Sequence, residues 1–304
     1  MSVSSSADVR VSVVVPCFNY GIHLAEAVET VLAQTLQALE IIIVDDGSTD
    51  DSAAVAQALI DAHPEASIRL IAQPHSGSPG HSRNLGIAAA RAPYIVCLDA
   101  DDMLALDYLE RCATALDAHP EAAIAYGALQ CFGDDTTLNE PPEWDTRTEL
   151  DCNFLTVASM FRRQAWEQVG GIDTEIGYED WDFWIGCIEH GWVGVKVPGA
   201  LWYYRVKAGG VYEGHLASDQ QVKARIVLKH PSVYSDGQRR WAEGVLVGDR
   251  VALAAGTQPG AIPAYIPPPP RRATARTELP IRSICLITKD YPPNVPGGIP
   301  RAVQ

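Results

Sequence analysis

The 304-residue chain is poor in positive charge: 23 lysines and arginines stand against 38 acidic residues, and the formal net charge is −15. A surface of this sign repels phosphate backbones and anionic lipid headgroups. We therefore expect neither a nucleic acid nor an anionic membrane surface to be the main partner. An anionic small-molecule substrate stays open, provided that a metal ion screens its charge.

The chain also lacks the cysteine patterns of disulfide frameworks and zinc sites. Its seven cysteines are odd in number, scattered and without a Cys-x-x-Cys pair, which favours reduced core thiols in a cytoplasmic protein. No apolar stretch approaches the ~20 residues that span a bilayer. Residues 1–10 are polar and serine-rich, so they predict a disordered N-terminus rather than a signal peptide. The expected location is the cytoplasm, with a peripheral contact at the inner face of the plasma membrane left open.

The first hundred residues alternate between strand-like and helix-like segments. Continuous apolar runs predict strands buried on both faces, as in a parallel sheet, at residues 11–15, 40–44, 68–72 and 94–98. Amphipathic helical patterns lie between these runs. The alternation predicts βαβ units and an α/β fold whose ligands bind beyond the carboxyl ends of the strands.

The pattern changes after about residue 120. We predict further strands, belonging to a smaller mixed sheet, at residues 122–126, 153–161, 192–197 and 201–206. Residues 132–150 look like an irregular excursion. Helices are predicted near residues 162–169, 179–190, 217–230 and 238–255. Prolines at 259, 263 and 267–270 make residues 256–280 an extended linker.

Acidic residues follow two of the predicted strands. Asp99, Asp101 and Asp102 come directly after the fourth strand, where mutual repulsion would raise their pKa values unless a cation shared them. The Asp-x-Asp spacing suits a hard divalent ion, although an acidic solvated loop is the simpler alternative. Asp45 and Asp46 follow the second strand.

The residues after Asp46 allow a second interpretation of that acidic pair. Asp-Asp-Gly-Ser is also a turn followed by a helix cap, with residues 48–50 as the cap candidates.

Five segments, taken together and in this order, closely resemble the family 2 glycosyltransferases of the GT-A fold. They are Val13-Val14-Val15-Pro16-Cys17-Phe18-Asn19-Tyr20, Ile42-Ile43-Val44-Asp45-Asp46-Gly47-Ser48-Thr49-Asp50, Ser82-Arg83-Asn84-Leu85-Gly86, Leu98-Asp99-Ala100-Asp101-Asp102 and Gly177-Tyr178-Glu179-Asp180-Trp181-Asp182-Phe183-Trp184. The resemblance covers about residues 9–230. It implies a single-domain, Rossmann-like α/β sandwich, with a mainly parallel central sheet flanked by helices and a smaller mixed sheet. Residues 11–120 would bind the nucleotide sugar and residues 121–255 the acceptor.

The resemblance also implies an activity. Such enzymes move a sugar, with inversion, from a nucleoside-diphosphate sugar (most often a UDP-sugar) to a hydroxyl of a saccharide or glycolipid acceptor. The expected setting is bacterial polysaccharide, O-antigen, capsule or glycolipid synthesis, with Mn²⁺ or Mg²⁺ as cofactor. Asp101 would be the metal ligand, and Asp99 would serve the metal or the ribose. Asp102 would support this pair or cap a helix.

The remaining nucleotide-binding residues follow from the same resemblance. Pro16 and Phe18 would enclose the base with Asn19 beside them, and Asp45 and Asp46 would grip the nucleoside, the second reaching the base.

A Gly/Ser-rich loop leads into the third predicted helix. Arg83, at the start of that helix, would meet phosphate through its charge and the helix N-terminus. His75 and His81, which flank the loop, are expected to be surface histidines.

The implied catalytic base is Asp180, with Glu179 beside it. We expect the apolar neighbours of Asp180 to raise its pKa by desolvation. Tyr178, Trp181 and Trp184 would stack on acceptor sugars. The alternative is a pair of acids placed at a helix N-terminus by the helix dipole.

The end of the sequence carries a second resemblance. Residues 284–298 look like the opening strand and glycine loop of family 4 glycosyltransferases of the GT-B fold, so residues 281–304 would begin a second domain of a bifunctional enzyme.

His215 is an open candidate for the metal. A non-catalytic nucleotide-sugar or glycan-binding module is the alternative function, and a haloacid-dehalogenase-type phosphatase is disfavoured because Asp102-Met103 stands where that family has Gly-Thr.

Overall fold

A computed structural model describes residues 9–207, 218–256 and 261–263. The strands are β1 Val11–Cys17, β2 Leu39–Asp45, β3 Ile68–Ala72, β4 Tyr94–Cys97, β5 Met103–Leu104, β6 Ala122–Gly133, β7 Leu138–Asn139, β8 Met160–Arg162 and β9 Val193–Val206. The helices are α1 Gly21–Leu32, α2 Ser52–Ala62, α3 Pro79–Ala89, α4 Tyr108–Ala118, α5 Thr146–Asp151, α6 Arg163–Val169, α7 Glu179–Glu189, α8 Asp219–Lys229, α9 Asp236–Leu246 and α10 Arg250–Ala255. His215, the proposed second domain and most of the proposed linker and disordered N-terminus lie outside the described residues.

The described strands form one mixed sheet in the order β3-β2-β1-β4-β8-β6-β9-β5, with β7 beside β6. β1 pairs in parallel with both β2 and β4, and β2 pairs in parallel with β3. The predicted α/β fold and its four N-terminal strands are therefore confirmed. The strands predicted for the smaller mixed sheet continue the same sheet, since β8 joins β4 in antiparallel fashion.

The strands predicted after residue 120 have other bounds in the structure. The strand predicted at residues 122–126 extends to Gly133 as β6. The strand predicted at residues 153–161 shrinks to β8, because the backbone before it is held in local turns. The amide of Phe154 donates to the buried Glu149 carboxylate at 3.2 Å, and the amide of Ser159 donates to the carbonyl oxygen of Thr156 at 3.0 Å. The two strands predicted at 192–197 and 201–206 are one strand, β9, which bends through register shifts against β6.

The start of α2 also differs from its prediction. The helix begins at Ser52 after Asp51, which makes no side-chain cap bond. Asp50 instead accepts from the backbone amide of Gly21 at 3.1 Å and from that of Ser52 at 3.0 Å, so it connects α2 to the start of α1.

The hydrophobic core lies on both faces of the sheet. Val13 and Val15 of β1 face the cluster under α1, α2 and α4, whereas Val14 faces the cluster under α3, α6 and α7. A third cluster joins α7, α8 and α9 and includes Ile262, which is only 2% exposed. Residues 261–263 therefore pack against the domain, although the sequence places them in an extended linker.

Helix α7 is tied to α8 by a buried histidine. His230, at the end of α8, has Nε2 2.9 Å from Asp182 and Nδ1 2.7 Å from Glu189. Lys229 lies 2.6 Å from the same Asp182. These contacts fix the helix that carries Glu179 and Asp180. In the described part of the chain, no helix combines the length and apolarity needed to cross a membrane.

The replacement of Gly86 by alanine tests how closely α3 approaches the sheet. A Cβ at Gly86 would lie 2.3 Å from Cγ1 of Val14 and 3.1 Å from Cγ2 of Val44. We expect Gly86→Ala to lower the free energy of unfolding, measured in urea, by about 1–3 kcal/mol. In the Gly86→Ala/Val14→Ala double variant the loss should be smaller than the sum of the two single losses. A gain in stability, which exposed helical glycines give on replacement by alanine, would contradict the close packing.

Candidate active site

The carboxyl ends of β1 to β4 meet at one edge of the sheet, and most of the residues predicted to bind the nucleotide sugar lie there. Asn19, which follows β1, has a left-handed backbone with φ 58°. Its Oδ1 accepts from the amides of Thr49 at 2.7 Å and Asp50 at 3.3 Å, and its own amide donates to Oγ of Ser48 at 3.0 Å. Asn19 therefore locks the loops after β1 and β2 together, so in this structure its side chain supports the site.

Asp46 is almost fully engaged by the segment that follows β3. Its carboxylate accepts from the amide of Ser76 at 3.0 Å, from Nε2 of Gln73 and from Nδ1 of His75 at 2.9 Å, and the residue is 5% exposed. Burial raises the pKa of Asp46, but these hydrogen bonds outweigh burial and lower it. The predicted contact of Asp46 with the base stays a prediction, since in this structure the carboxylate is engaged by these three donors. Asp45 is buried as well and accepts from the amide of Ser48 at 3.3 Å.

His75 is exposed, as predicted, and it is also part of this edge. Its ring stacks on Phe18, with centroids 3.9 Å apart and planes 16° from parallel. Phe18 itself is 38% exposed, as a wall of a ligand site requires, and the half-buried Pro16 precedes it in β1. His81 is exposed, as predicted.

Each carboxylate of the acidic loop, residues 99–102, has its own donor. Asp99 Oδ1 lies 2.8 Å from Nη2 of Arg83, and Asp101 Oδ2 lies 3.1 Å from Nζ of Lys207. Asp102 is 1% exposed and accepts the amide of Arg205 at 2.9 Å. Burial, followed by the charge of Asp99, raises the pKa of Asp102 well above its usual value. Asp102 therefore holds the end of β9 and does not cap a helix.

Asp99 and Asp101 fit a divalent ion that shares its coordination with a ligand. Their side chains are 33% and 19% exposed, and the ammonium of Lys207, placed 4.4 Å over the ring of Tyr20, shows that this position accepts a cation. Among the described residues no three His, Cys, Asp or Glu side chains converge as a complete metal cage. Magnesium-like ions are commonly held by one or two carboxylates together with substrate phosphates.

Arg83 joins the acidic loop to α7. Its guanidinium places Nη2 against Asp99 and Nη1 2.6 Å from Oε1 of Glu179, and the side chain is 5% exposed. The predicted contact of Arg83 with phosphate stays a prediction, and in this structure the guanidinium is paired with two carboxylates. Glu179 is likewise engaged, which leaves Asp180 as the base candidate of the pair.

Asp180 lies in the first turn of α7. The helix begins directly after Tyr178, whose backbone is left-handed with φ 56°. Oδ1 of Asp180 accepts the amide of Trp181 at 2.8 Å. Burial, with the nearby charge of Glu179, raises the pKa of Asp180 to about 6, while the Trp181 amide and the charge of Arg83 act in the opposite direction. The raised pKa agrees with the expectation from its apolar neighbours.

The two tryptophans predicted to stack on acceptor sugars are core residues. Trp181 and Trp184 are 0% and 1% exposed, and Nε1 of Trp181 donates to the carbonyl oxygen of Glu149 at 2.8 Å. This prediction is wrong, because the packing of α7 against its neighbours covers both rings. Tyr178 is half-buried and donates its hydroxyl to Asp219 at 2.9 Å.

Comparison with models of known protein families shows to which family this chain belongs. The model of glycosyl transferase family 2 matches residues 12–170, and that of glycosyl transferase family group 2 matches residues 94–247. This chain belongs to glycosyl transferase family 2. The chain is 40% identical to glycosyltransferase GlyG of Streptococcus pneumoniae over 100 residues, and these residues cover 33% of each protein. It is 31% identical over 192 residues to glycosyltransferase alr2836 of Nostoc sp., 59% of this chain and 58% of that one. The chain thus spans less than two thirds of either relative.

Solved structures share the fold of this family 2 chain. One is the mannosyltransferase PcManGT from Pyrobaculum calidifontis in complex with GDP-Man and Mn²⁺. It matches with a TM-score of 0.59 at 21% identity, and the match covers 84% of this chain and 77% of the PcManGT chain. TarS of Staphylococcus aureus, in complex with UDP-GlcNAc, has a TM-score of 0.60 at 15% identity and covers 80% and 73%. The likeness is to the curled mixed sheet and flanking helices of the GT-A fold.

The sequence resemblance extends to Tyr204-Arg205-Val206, which looks like the segment that closes over the donor in family 2 glycosyltransferases, but it does not indicate the contact of this basic strand end with the acidic loop. Lys207 and Arg205 face the acidic loop, and Arg205 Nε donates to the carbonyl oxygen of Asp101 at 2.9 Å. Two basic residues, Arg205 and Lys207, lie at the end of the strand predicted at residues 201–206 in a chain with few basic residues. Their position could have indicated a contact with the acidic loop.

Replacement of Lys207 tests whether its ammonium competes with a metal ion. We expect Lys207→Met to bind Mn²⁺ about two- to fivefold more tightly without nucleotide, because removal of a part-exposed ion pair frees Asp101. Electron paramagnetic resonance titration of free Mn²⁺ measures this affinity. Lys196→Met is the control, since Lys196 faces Glu143 at 3.5 Å elsewhere. Unchanged or weaker Mn²⁺ binding in Lys207→Met would rule out the competition.

Proposed function

We propose that this family 2 glycosyltransferase moves a sugar from a nucleoside-diphosphate sugar to an acceptor hydroxyl, with inversion at the anomeric carbon. The observation that carries the proposal is the link through Arg83: it joins Asp99, on the nucleotide side, to Glu179, the neighbour of Asp180. A carboxyl with a pKa of about 6 therefore lies next to the acidic loop.

The donor would lie along the strand ends. Phe18 supports the nucleoside side and Asp99 and Asp101 serve the diphosphate side, because β4 carries the acidic loop and β1 lies between β4 and β2. The neighbouring structures hold UDP-GlcNAc and GDP-Man, which supports a nucleotide sugar and leaves the base and the sugar as separate questions.

Asp180 would act as general base. Its ionised carboxylate takes the proton of the acceptor hydroxyl while the acceptor oxygen forms the new bond to the anomeric carbon. The bond from that carbon to the phosphate oxygen breaks, and the nucleoside diphosphate leaves with the bonding electrons. Attack from the side opposite the leaving group inverts the anomeric configuration.

Asp99 and Asp101 would hold the divalent ion. A Mn²⁺ or Mg²⁺ ion bound there would neutralise charge that develops on the diphosphate. Arg83 keeps Asp99 in place through the 2.8 Å contact, and Asp102 keeps the acidic loop attached to β9. The proposed setting is bacterial glycan synthesis. It is supported by the similarity to the succinoglycan biosynthesis protein ExoO of Rhizobium meliloti, which is 39% identical over 108 residues.

A non-catalytic nucleotide-sugar-binding module is the second candidate. It would need the acidic loop but not a carboxyl whose pKa is raised. The experiment that separates the two is turnover of nucleotide sugars by the full chain with Mn²⁺, with and without acceptor saccharides, in the wild type and in Asp180→Asn.

Replacement of Asp180 should separate catalysis from binding. We expect Asp180→Asn to lose roughly 10²–10⁴-fold in kcat, the usual contribution of a positioned base, while the Kd of the nucleoside diphosphate stays within about twofold of the wild type. Glu167→Gln, an exposed carboxyl in α6, is the control and should retain full activity. Equal turnover in Asp180→Asn would remove the base assignment.

The pH dependence of kcat/KM should report the same carboxyl. Only the ionised form accepts a proton, so kcat/KM should be constant well above the pKa of about 6 and fall about tenfold per pH unit below it. Initial rates across the acid range measure this limb. A limb centred near 4, the ordinary value for an aspartate, would show that burial does not act on the catalytic group.

A further inference from the structure

His75 lies where the nucleoside end of the donor is expected. It follows β3, Asp46 follows β2 and Phe18 follows β1, while the acidic loop follows β4 on the other side of β1. With neighbouring strands about 4.8 Å apart, the edge from β4 to β3 measures roughly three such spacings. A nucleotide whose diphosphate faces the acidic loop therefore brings its base toward Phe18 and His75.

The hydrogen on the His75 ring is assigned by its contacts. Nδ1 lies 2.9 Å from Oδ2 of Asp46 and 3.1 Å from the carbonyl oxygen of the same residue. Both are acceptors, so Nδ1 carries the hydrogen, and in the neutral ring Nε2 presents a lone pair. Within the described residues Nε2 makes no hydrogen bond, and His75 is exposed.

The position of the ring is fixed from two sides. Phe18 covers one face at 3.9 Å, and Asp46 holds Nδ1. The backbone is fixed as well, because Gly47 has φ +71° and a Cβ there would lie 2.6 Å from the amide nitrogen of His75. A ring held in this way offers an acceptor in one direction, which is what discrimination by hydrogen bonding requires.

We propose that Nε2 of His75 is a specificity-determining contact for the nucleobase of the donor. The inference rests on the proposed function and deepens it. Uracil and thymine carry a ring N–H at N3, and guanine carries one at N1, so each donates to a fixed acceptor. Cytosine and adenine present ring nitrogens that are themselves acceptors at the corresponding edge. His75 therefore selects the first group of bases and rejects the second.

The contact also gives Asp46 a defined part. Because the Asp46 carboxylate is engaged by His75, Gln73 and Ser76, it meets the base only through His75. Asp46 is then a positioning residue that sets the tautomer, and His75 is the residue that touches the base.

The test compares nucleotide affinities by calorimetry on the full chain with Mn²⁺ at about pH 8, above the ordinary imidazole titration range. UDP, TDP, GDP, CDP and ADP are titrated into the wild type, into His75→Phe, which retains a stacking ring, and into His75→Gln, whose amide can donate to Asp46 and accept from the base. His81→Phe is the matched control. Circular dichroism checks that each variant is folded.

The wild type should bind at least one of UDP, TDP and GDP about tenfold or more tighter than CDP and ADP, since mispaired polar groups at a hydrogen-bonding site are costly. In His75→Phe this preference should disappear, and His81→Phe and His75→Gln should keep it wholly or in part. If UDP is the preferred ligand, N3-methyl-UDP should bind as weakly as CDP to the wild type, and His75→Phe should not distinguish it from UDP.

Retention of the full preference in His75→Phe would overturn the inference. Loss of the preference in folded His75→Gln to the level of His75→Phe would count against an acceptor role for position 75. If the wild type binds no nucleoside diphosphate, the proposed function itself fails, and this outcome is distinct from either result on the variants.

Discussion

The buried ion bridge of Arg83 is the interaction on which the site depends. It holds Asp99 and Glu179, which come from the end of β4 and the start of α7, and Arg83 and Glu179 are 96 positions apart. The guanidinium is almost fully buried, so its charge depends on both carboxylates, which are themselves part-exposed. The close approach of α3 to β1 at Gly86 is what brings the arginine under this edge.

The acidic loop shows how a chain with excess negative charge keeps three aspartates together. Arg83, Lys207 and the amide of Arg205 each neutralise or solvate one of them. Two of the three donors come from the end of β9, so this strand completes the site from the C-terminal half of the domain. The proposed metal ion at Asp101 would replace the cation that Lys207 supplies in this structure.

Local sequence patterns predict a large part of this molecule. The four apolar runs predict β1 to β4, and the acidic loop directly follows the fourth. The apolar neighbours of Asp180 predict its raised pKa. Contacts between distant segments are what the sequence does not display. The sequence suggests Trp181 and Trp184 as stacking surfaces for sugars, but the packing of α7 buries both rings. The sequence also does not show that the fold brings Glu179 to Arg83. His75 is exposed, but its contacts with Phe18 and Asp46 are not visible in the sequence because these residues lie 57 and 29 positions away in the chain.

If Arg83 connects the acidic loop to the proposed general base, its positive charge must lower the pKa of Asp180. The most direct measurement is the carboxyl ¹³C titration of Asp180, assigned by its absence in Asp180→Asn, in the wild type and in folded Arg83→Gln. The account predicts a midpoint near 6 in the wild type and a higher midpoint in Arg83→Gln, because the cation that favours the ionised form has gone. The same midpoint in both proteins would contradict it.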